Sequence, residues 1–224
     1  MLKSKYFVGA ALALGLTPIG ALAQDMDWSG AYVGGALGYG SANYDIDINA
    51  PALFGLNANL PDLGGEGFVG SLQAGYSQQF DKFILGAQID GTWGNIENDT
   101  SISVAGQSLD YTLAMSNMYT LSLRGGYLVN PETQMYGLIG YSRGSFDGDL
   151  TSSAGIGLNA DYSFEMDGVT LGAGLETLVT DAISLGIEYR MTQFEDYNLI
   201  SAGVNSVDLD TNVQTVQVFM NYRF

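Results

Sequence analysis

Hydrophobic and polar residues alternate with a period of two along eight segments of the chain. In the last segment, the even positions from Val216 to Phe224 are hydrophobic, and three of the four positions between them are polar. This period predicts β-strands, because successive side chains of a strand point to opposite faces of a sheet. The fifth segment is hydrophobic on both faces, so the pattern does not decide its facing. The predicted strands are residues 30–44, 67–79, 83–94, 113–127, 134–143, 162–178, 183–194 and 213–224.

The connections between these segments alternate in length. Three are short and four are long, which is typical of an up-and-down outer-membrane barrel with short periplasmic turns and longer outer loops. Three prolines fall in predicted connections, where a missing backbone donor breaks no strand pairing. We therefore predict an all-β fold, an eight-stranded antiparallel up-and-down transmembrane β-barrel. The short connections are residues 80–82, 128–133 and 179–182, the long ones are residues 45–65, 95–112, 144–161 and 195–212, and the prolines are Pro51, Pro61 and Pro131.

The two faces of the predicted strands differ in a way that indicates a lipid environment. One face carries large aliphatic and aromatic residues, and the other carries mainly Gly, Ser, Thr and Gln. A soluble barrel would carry many charges on its outer face, but the predicted strands contain four Arg and no Lys. We therefore predict that the polar face is the packed interior and that the hydrophobic face meets lipid. Aromatic residues near strand ends fit interfacial girdles: Tyr39, Tyr76, Trp93, Tyr119, Tyr127 and Tyr222.

The N-terminus has the pattern of a cleavable secretory signal. Lys3 and Lys5 precede a hydrophobic run, and the small-x-small sequence Ala21-Leu22-Ala23 supplies a cleavage site. We predict a signal peptide at residues 1–23 and an outer-membrane barrel domain at residues 24–224. Removing the signal peptide leaves 5 basic and 24 acidic residues, a net charge of −19.

The composition excludes several kinds of chemistry. The chain of 224 residues contains no His and no Cys, so it has no His general base, no Cys nucleophile and no Cys/His zinc or haem site. Its formal charge of −17 argues against nucleic-acid binding, since contacts with phosphates require many Lys and Arg residues. We therefore predict no catalytic residue, no cofactor, no metal site and no nucleic-acid partner.

Six short motifs follow one another along the chain: Trp28-Ser29-Gly30-Ala31-Tyr32-Val33-Gly34, Gly67-Phe68-Val69-Gly70, Ala74-Gly75-Tyr76, Gly172-Ala173-Gly174-Leu175-Glu176, Ile187-Glu188-Tyr189 and Asn221-Tyr222-Arg223-Phe224. Together they resemble the small outer-membrane β-barrel family. That family includes the membrane domain of OmpA-type proteins and the porin-family surface proteins of Gram-negative bacteria. The resemblance implies a location in the cell outer membrane.

Three acids and three arginines occupy inward positions of the predicted strands. Buried charges persist only where they are paired and hydrogen-bonded, so we predict a structural ionic cluster that fills the lumen. A selectivity lining in a narrow pore is the alternative. The resemblance implies similar interior charges at Arg124, Glu176 and Glu188, an acid where Gln88 stands, and a role for Phe224 as the terminal signal read by the barrel-assembly machinery. The predicted cluster is Asp90, Arg124, Glu176, Glu188, Arg190 and Arg223.

An eight-stranded barrel has an interior that side chains just fill, so general diffusion is not expected. We predict a structural or surface-interaction protein that is not an enzyme. The alternative is a narrow porin-like channel for small solutes or ions. A lipid-modifying enzyme is a third possibility, which the absence of His opposes.

The four long connections contain thirteen acidic residues and no Lys or Arg. Neighbouring acidic loops repel one another, and the lipopolysaccharide leaflet around them is also anionic. We predict that diffuse Mg²⁺ or Ca²⁺ ions bridge the loops, or join them to lipopolysaccharide, with weak oxygen ligation. The alternative is that the acids only hydrate the loops. The acids are Asp45, Asp47, Asp62, Glu97, Asp99, Asp110, Asp147, Asp149, Asp161, Glu195, Asp196, Asp208 and Asp210.

Overall fold

The computed structural model of the chain describes residues 27–50, 56–104, 107–152, 160–195, 197–202 and 205–224. The predicted signal peptide lies outside these residues. In the described part of the chain, no helix is long and hydrophobic enough to cross a bilayer. The strands are β1 (Gly30–Ala50), β2 (Leu56–Phe80), β3 (Phe83–Val104), β4 (Gln107–Asn130), β5 (Thr133–Ser152), β6 (Ala160–Leu178), β7 (Ile183–Phe194), β8 (Tyr197–Ala202) and β9 (Asn205–Arg223).

The strands close into a barrel. From β1 to β7 each strand pairs with the next in antiparallel order, β9 pairs with β7, and β9 also pairs with β1. The short strand β8 pairs with β9 alone among the described strands, so it continues the β7 side of the wall. Eight strands therefore encircle the lumen, which confirms the predicted eight-stranded antiparallel barrel.

The strands are longer than the sequence pattern predicts, and the extra length lies at the outer end. Strand β1 continues to Ala50 and β2 begins at Leu56, while β3 continues to Val104 and β4 begins at Gln107. Much of each predicted long connection is therefore paired strand, and the predicted strand limits were wrong there. The period-two pattern fades because these segments leave the lipid. The backbone hydrogen bonds between neighbouring strands continue regardless of side-chain pattern.

Pro61 was predicted to lie in a connection, and the structure places it in β2. Tyr44 pairs with Leu63 and Ile46 pairs with Leu60, so two residues of β2 stand opposite one residue of β1. This β-bulge interrupts the ladder, and a proline without an N–H breaks no regular hydrogen bond there. The prediction was wrong for that reason. Pro131 lies in the turn between β4 and β5, and the position of Pro51 falls outside the described residues.

Burial alternates along the strands in the inverted sense expected for a barrel in lipid. On β4 the side chain of Leu123 is 65% exposed, whereas Ser122 and Arg124 are buried. Strand β5, whose facing the sequence left open, turns Tyr136 inward and Ile139 outward. Exposed aromatic side chains lie near both ends of this hydrophobic band: Tyr39, Phe68, Trp93, Tyr119, Tyr141 and Tyr189 near the outer end, and Tyr76, Phe80, Phe83, Tyr127 and Phe224 near the turn end.

Candidate functional site: the barrel interior

Inward side chains recur at every second residue of each strand, and they form three layers from the ionic part of the interior to its outer end. Strand β4 shows the order. Arg124 belongs to an ionic layer, Thr120 to a layer of hydroxyl groups, and Met118 to a hydrophobic layer nearest the outer end. The same order repeats on the neighbouring strands, so the layers cross the lumen.

Glu176 is the centre of the first group of charges in the ionic layer. Its fully buried carboxylate lies 2.9 Å from Nη2 of Arg124 and 3.6 Å from Nη1 of Arg223. The Ser184 hydroxyl and the Asn221 side-chain amide donate to Oε1 at 2.6 and 2.9 Å. Both carboxylate oxygens therefore have donors, which is the condition under which a buried charge is tolerated.

Arg190 is the centre of the second group. Its Nη1 lies 2.8 Å from Oδ2 of Asp90, and its Nε donates to Oε1 of Glu188. The Tyr136 hydroxyl donates to Oε2 of Glu188 at 2.6 Å, and the Gln217 amide donates to Oε1 at 3.0 Å. Here one arginine pairs with two acids, whereas in the first group two arginines pair with one acid. The six charges therefore balance only when both groups are taken together.

Gln88 connects the two groups. Its side-chain oxygen accepts hydrogen bonds from Nη1 of Arg124 at 3.0 Å and from the Tyr32 hydroxyl at 2.9 Å. Its amide nitrogen donates to Oδ1 of Asp90 at 3.1 Å. The resemblance expects an acid at this position, and an ionised acid accepts hydrogen bonds but cannot donate one. The amide lets one side chain bind the base of one group and the acid of the other.

Tyrosine rings pack over interior glycines within the ionic layer. The guanidinium carbon of Arg124 lies 3.8 Å from the ring centroid of Tyr136, a cation–π contact. A Cβ at Gly174 would lie 2.6 Å from Cζ of that ring, and a Cβ at Gly75 would lie 2.5 Å from Cζ of Tyr32. Both positions therefore require glycine so that the tyrosines can reach the charged groups.

A row of hydroxyl groups separates the ionic layer from the outer end. The side-chain oxygens of Thr120 and Ser142 are 2.9 Å apart, those of Ser142 and Thr170 are 2.5 Å apart, and those of Thr170 and Thr192 are 2.7 Å apart. The row crosses four consecutive strands, β4 to β7. Each hydroxyl can donate one hydrogen bond and accept others, so three hydrogen bonds join the four residues of the row.

The outer layer of the interior is hydrophobic, which corrects the expectation of a polar interior throughout. The Phe194 ring packs edge-on against Phe146, with ring centroids 5.2 Å apart. Toward the outer end of this layer, outward residues such as Glu66 and Gln193 are polar and exposed. Because the wall has left the lipid here, water surrounds it and the ordinary arrangement of soluble proteins returns. We call this set the outer plug: Ala42, Val69, Ile96, Met115, Met118, Phe146, Met166, Phe194 and Val213.

Arg143 is the strand arginine that lies on the outside of the barrel. Its Nε and Nη2 donate to the two oxygens of Asp167 at 2.7 and 2.9 Å, and Glu165 lies 4.0 Å away. It stands two residues beyond the exposed Tyr141, at the outer edge of the hydrophobic band. Sequence reasoning missed this pair because the facing of β5 was undecided.

The structure places all six residues of the predicted ionic cluster inside the barrel, in the two groups described above. Phe224 is 71% exposed, and its backbone N–H donates to the carbonyl of Ala31 at 2.9 Å, which joins β9 to β1. Sequence reasoning missed the neutral members of the network. Their one signal was a polar side chain at an inward position: Tyr32, Gln73, Gln134, Tyr136, Ser184, Gln217 and Asn221.

Comparisons with known proteins concern nearly the whole chain. The family model described as "Outer membrane protein beta-barrel domain" matches residues 9–224. The 31 kDa outer-membrane immunogenic protein of Brucella melitensis is 27% identical over 220 residues, which cover 92% of this chain and 88% of that protein.

Two solved structures share the architecture. OprG from Pseudomonas aeruginosa superposes with a TM-score of 0.56 at 16% identity, covering 88% of this chain and 96% of that chain. The outer-membrane protease OmpT from Escherichia coli superposes with a TM-score of 0.54 at 10% identity, covering 87% of this chain and 97% of that chain. At these identities the likeness concerns the fold alone.

Proposed function

This chain belongs to the outer membrane protein β-barrel domain family, and from this membership we propose that it is a structural or surface-interaction protein that does not conduct solutes. Its location is the cell outer membrane, as for the relatives that share most of its length. The proposal includes the absence of enzymatic activity, since the chain has no His or Cys.

The buried ion pairs and the outer plug are the observations that support the proposal. A permeating ion would first have to separate the buried pair of Arg190 and Asp90, and then pass the outer plug, where it would lose its hydration. Transfer of an ion into such surroundings is strongly unfavourable. The ionic layer and the outer plug obstruct the lumen in series.

The outer extension of the wall supports a role at the surface. The strands continue beyond the hydrophobic band to Ala50, Val104 and Ser152, and they enclose the outer plug there. A folded, water-exposed structure of this kind presents a fixed surface to the outside of the cell. The Brucella relative is named an immunogenic outer-membrane protein, which fits surface exposure of that protein. We extend that exposure to this chain.

Single-channel recording in planar bilayers tests the proposal. We expect the refolded barrel to give no discrete conductance steps under conditions in which a general porin conducts. The variant Thr120→Lys places a charge at a buried lumen position and serves as the control. Steps in the natural protein whose ion selectivity changes in Thr120→Lys would contradict the proposal and favour the narrow channel.

A further inference from the structure

The wall of the outer extension is open between β2 and β3. Pairing of these strands is regular from Phe80 and Phe83 to Val69 and Gly94, and among the described residues it ends at Glu66 opposite Glu97. Beyond that point β2 still pairs with β1, and β3 still pairs with β4. Residues 56–65 of β2 and residues 98–104 of β3 therefore each have a neighbour on one side. We call the boundary between them the outer seam.

The seam opens where acidic residues face one another in the register. Glu66 and Glu97 are directly opposite, and like charges at such positions destabilise strand pairing. Asp62 follows on β2 and Asp99 follows on β3. The sequence has no Lys or Arg between residues 45 and 65 or between residues 95 and 112 that would offset them. The seam therefore keeps a negative charge on both sides.

The two edges of the seam differ in how well they could accept another strand. On β2, the bulge at Pro61 and the pair Gly64-Gly65 interrupt the edge, and such features prevent strand addition. On β3, residues 98–104 contain no Pro and no Gly, and three of the seven are β-branched. Their register with β4 is continuous from Ile96 to Val104. Among the described residues, the edge of β3 is therefore regular and has none of the interruptions found on β2.

We propose that the β3 edge between Asn98 and Val104 binds an extended, basic segment of a partner protein by strand addition. Alternate residues of the edge would supply backbone N–H and C=O groups, as in other cases of strand addition. Glu97, Asp99 and Asp110 supply the charge that favours Lys and Arg in the partner. A second copy of this chain fits poorly, because its outer segments are equally acidic. The inference rests on the proposed surface role and names the partner chemistry.

The test uses the refolded full chain in nanodiscs of zwitterionic lipid. The probe is a ten-residue peptide that alternates Lys with Val and Thr. Its control has the same sequence with N-methyl groups on alternate backbone nitrogens, which preserves the charge and removes the donors of one edge. Peptide affinity is measured by fluorescence anisotropy, and hydrogen exchange locates the amides that the peptide protects.

We expect the unmodified peptide to protect amides in residues 98–104. The N-methylated peptide should bind at least about tenfold more weakly, since it loses several backbone hydrogen bonds to the edge. Asp99→Asn should weaken binding, whereas Asp147→Asn, the same charge change on the exposed outer part of β5, should not. These variants separate a local contact from attraction to net charge.

Any of three results with the peptides would overturn the inference: no binding, equal binding of the N-methylated peptide, or protection outside residues 98–104. Protection of the same amides by Mg²⁺ alone would also overturn it, because a cation between the acidic residues would then bring β2 and β3 together without a partner strand. None of these results bears on the proposed function, which fails only if the natural barrel conducts in the bilayer recording.

Discussion

Arg124, Tyr136 and Gly174 show how the interior depends on single residues. Arg124 contacts the carboxylate of Glu176 through Nη2 and the face of Tyr136 through its guanidinium plane. Tyr136 occupies that place because residue 174 has no Cβ. The Arg124 guanidinium, the Tyr136 ring and Gly174 therefore pack together, and a change in any of the three affects the other two.

We predict that Glu176→Ala destabilises the barrel, because it leaves Arg124 and Arg223 without their shared carboxylate. Breaking a fully buried ion pair costs about 3–5 kcal/mol, and water that enters the lumen would reduce this loss. Urea titration of the refolded barrel measures it. The double variant Arg124→Ala/Glu176→Ala should lose less than the sum of its two single variants. Unchanged stability in both single variants would show that the cluster does not support folding.

Gly174→Ala should destabilise the barrel by about 1–3 kcal/mol through overpacking. The new Cβ would lie 2.6 Å from the Tyr136 ring and 2.7 Å from the carbonyl oxygen of Ile187. The matched control is Gly137→Ala, on the lipid side of β5, where the nearest atom lies 3.7 Å away. Urea titration compares the two, and equal stability would contradict the packing of Tyr136 over Gly174.

At the scale of the strands, the rule for which side chains face inward changes along one element. The lipid-embedded part of β4 turns Arg124 inward and Leu123 outward, whereas its outer part turns Met115 inward. The register of β4 with β3 and β5 shifts next to Ser116, so a bulge lies near this change. The solvent outside the wall, lipid below and water above, decides which face is hydrophobic.

Phe146→Ala should loosen the outer extension, because the ring packs against Phe194 in the outer plug. Replacing a buried Phe by Ala costs about 3–5 kcal/mol. Hydrogen exchange should become faster in the outer parts of β4 to β7, and the lipid-embedded parts should change less. Phe68→Ala is the control, because that ring is 81% exposed on the lipid side. Equal exchange in both variants would contradict a packed plug.

Phe224, which directly follows β9, is the predicted assembly signal. We expect Phe224→Ala to lower the amount of folded barrel in the outer membrane of cells while leaving refolding in detergent intact. The ring of Phe224 is exposed, so its loss removes little packing. Phe83→Ala, at the same end of the barrel and also exposed, is the control. The shift in gel mobility between heated and unheated membrane fractions reports the folded fraction, and equal yields would refute the signal.

At the scale of the whole molecule, the barrel combines a lipid-embedded half with a charged interior and a water-exposed half with a hydrophobic interior. Side chains fill the lipid-embedded half, which anchors the protein in the membrane. The second half holds the acidic outer segments above the membrane. The predicted divalent ions would bind these acidic side chains. Most of the thirteen side chains are not among those that the structure describes, so the ions remain a prediction.

The protein isolated from outer membranes should begin at Gln24. The predicted signal peptide ends at Ala23, after a basic start and a hydrophobic run. Intact-mass spectrometry of the purified protein measures the processed length. Retention of residues 1–23 in the outer-membrane fraction would refute the predicted cleavage.

The eight strands of the barrel and the lipid-facing side of most of them followed from the sequence alone. A period of two is a local property of extended backbone, and the lipid and the lumen impose opposite side-chain types on its two faces. For the same reason the inward positions of Asp90, Glu176 and Glu188 were predictable from their neighbours. The period failed for β5, where inward residues such as Tyr136 and Leu138 are as hydrophobic as the outward ones.

The tertiary structure decided what depends on residues far apart in the chain. Strands β1 and β3 extend to Ala50 and Val104 because neighbouring backbones pair there. The alternation of side chains does not predict that pairing. Gln88 joins Arg124 of β4 to Asp90 of its own strand β3, and Arg190 of β7 reaches Asp90 across the lumen. Strand pairing and side-chain packing join residues that are far apart in the chain. The local period of two therefore predicts a strand, but it does not predict the strand's length, its ion-pair partners or the outer plug.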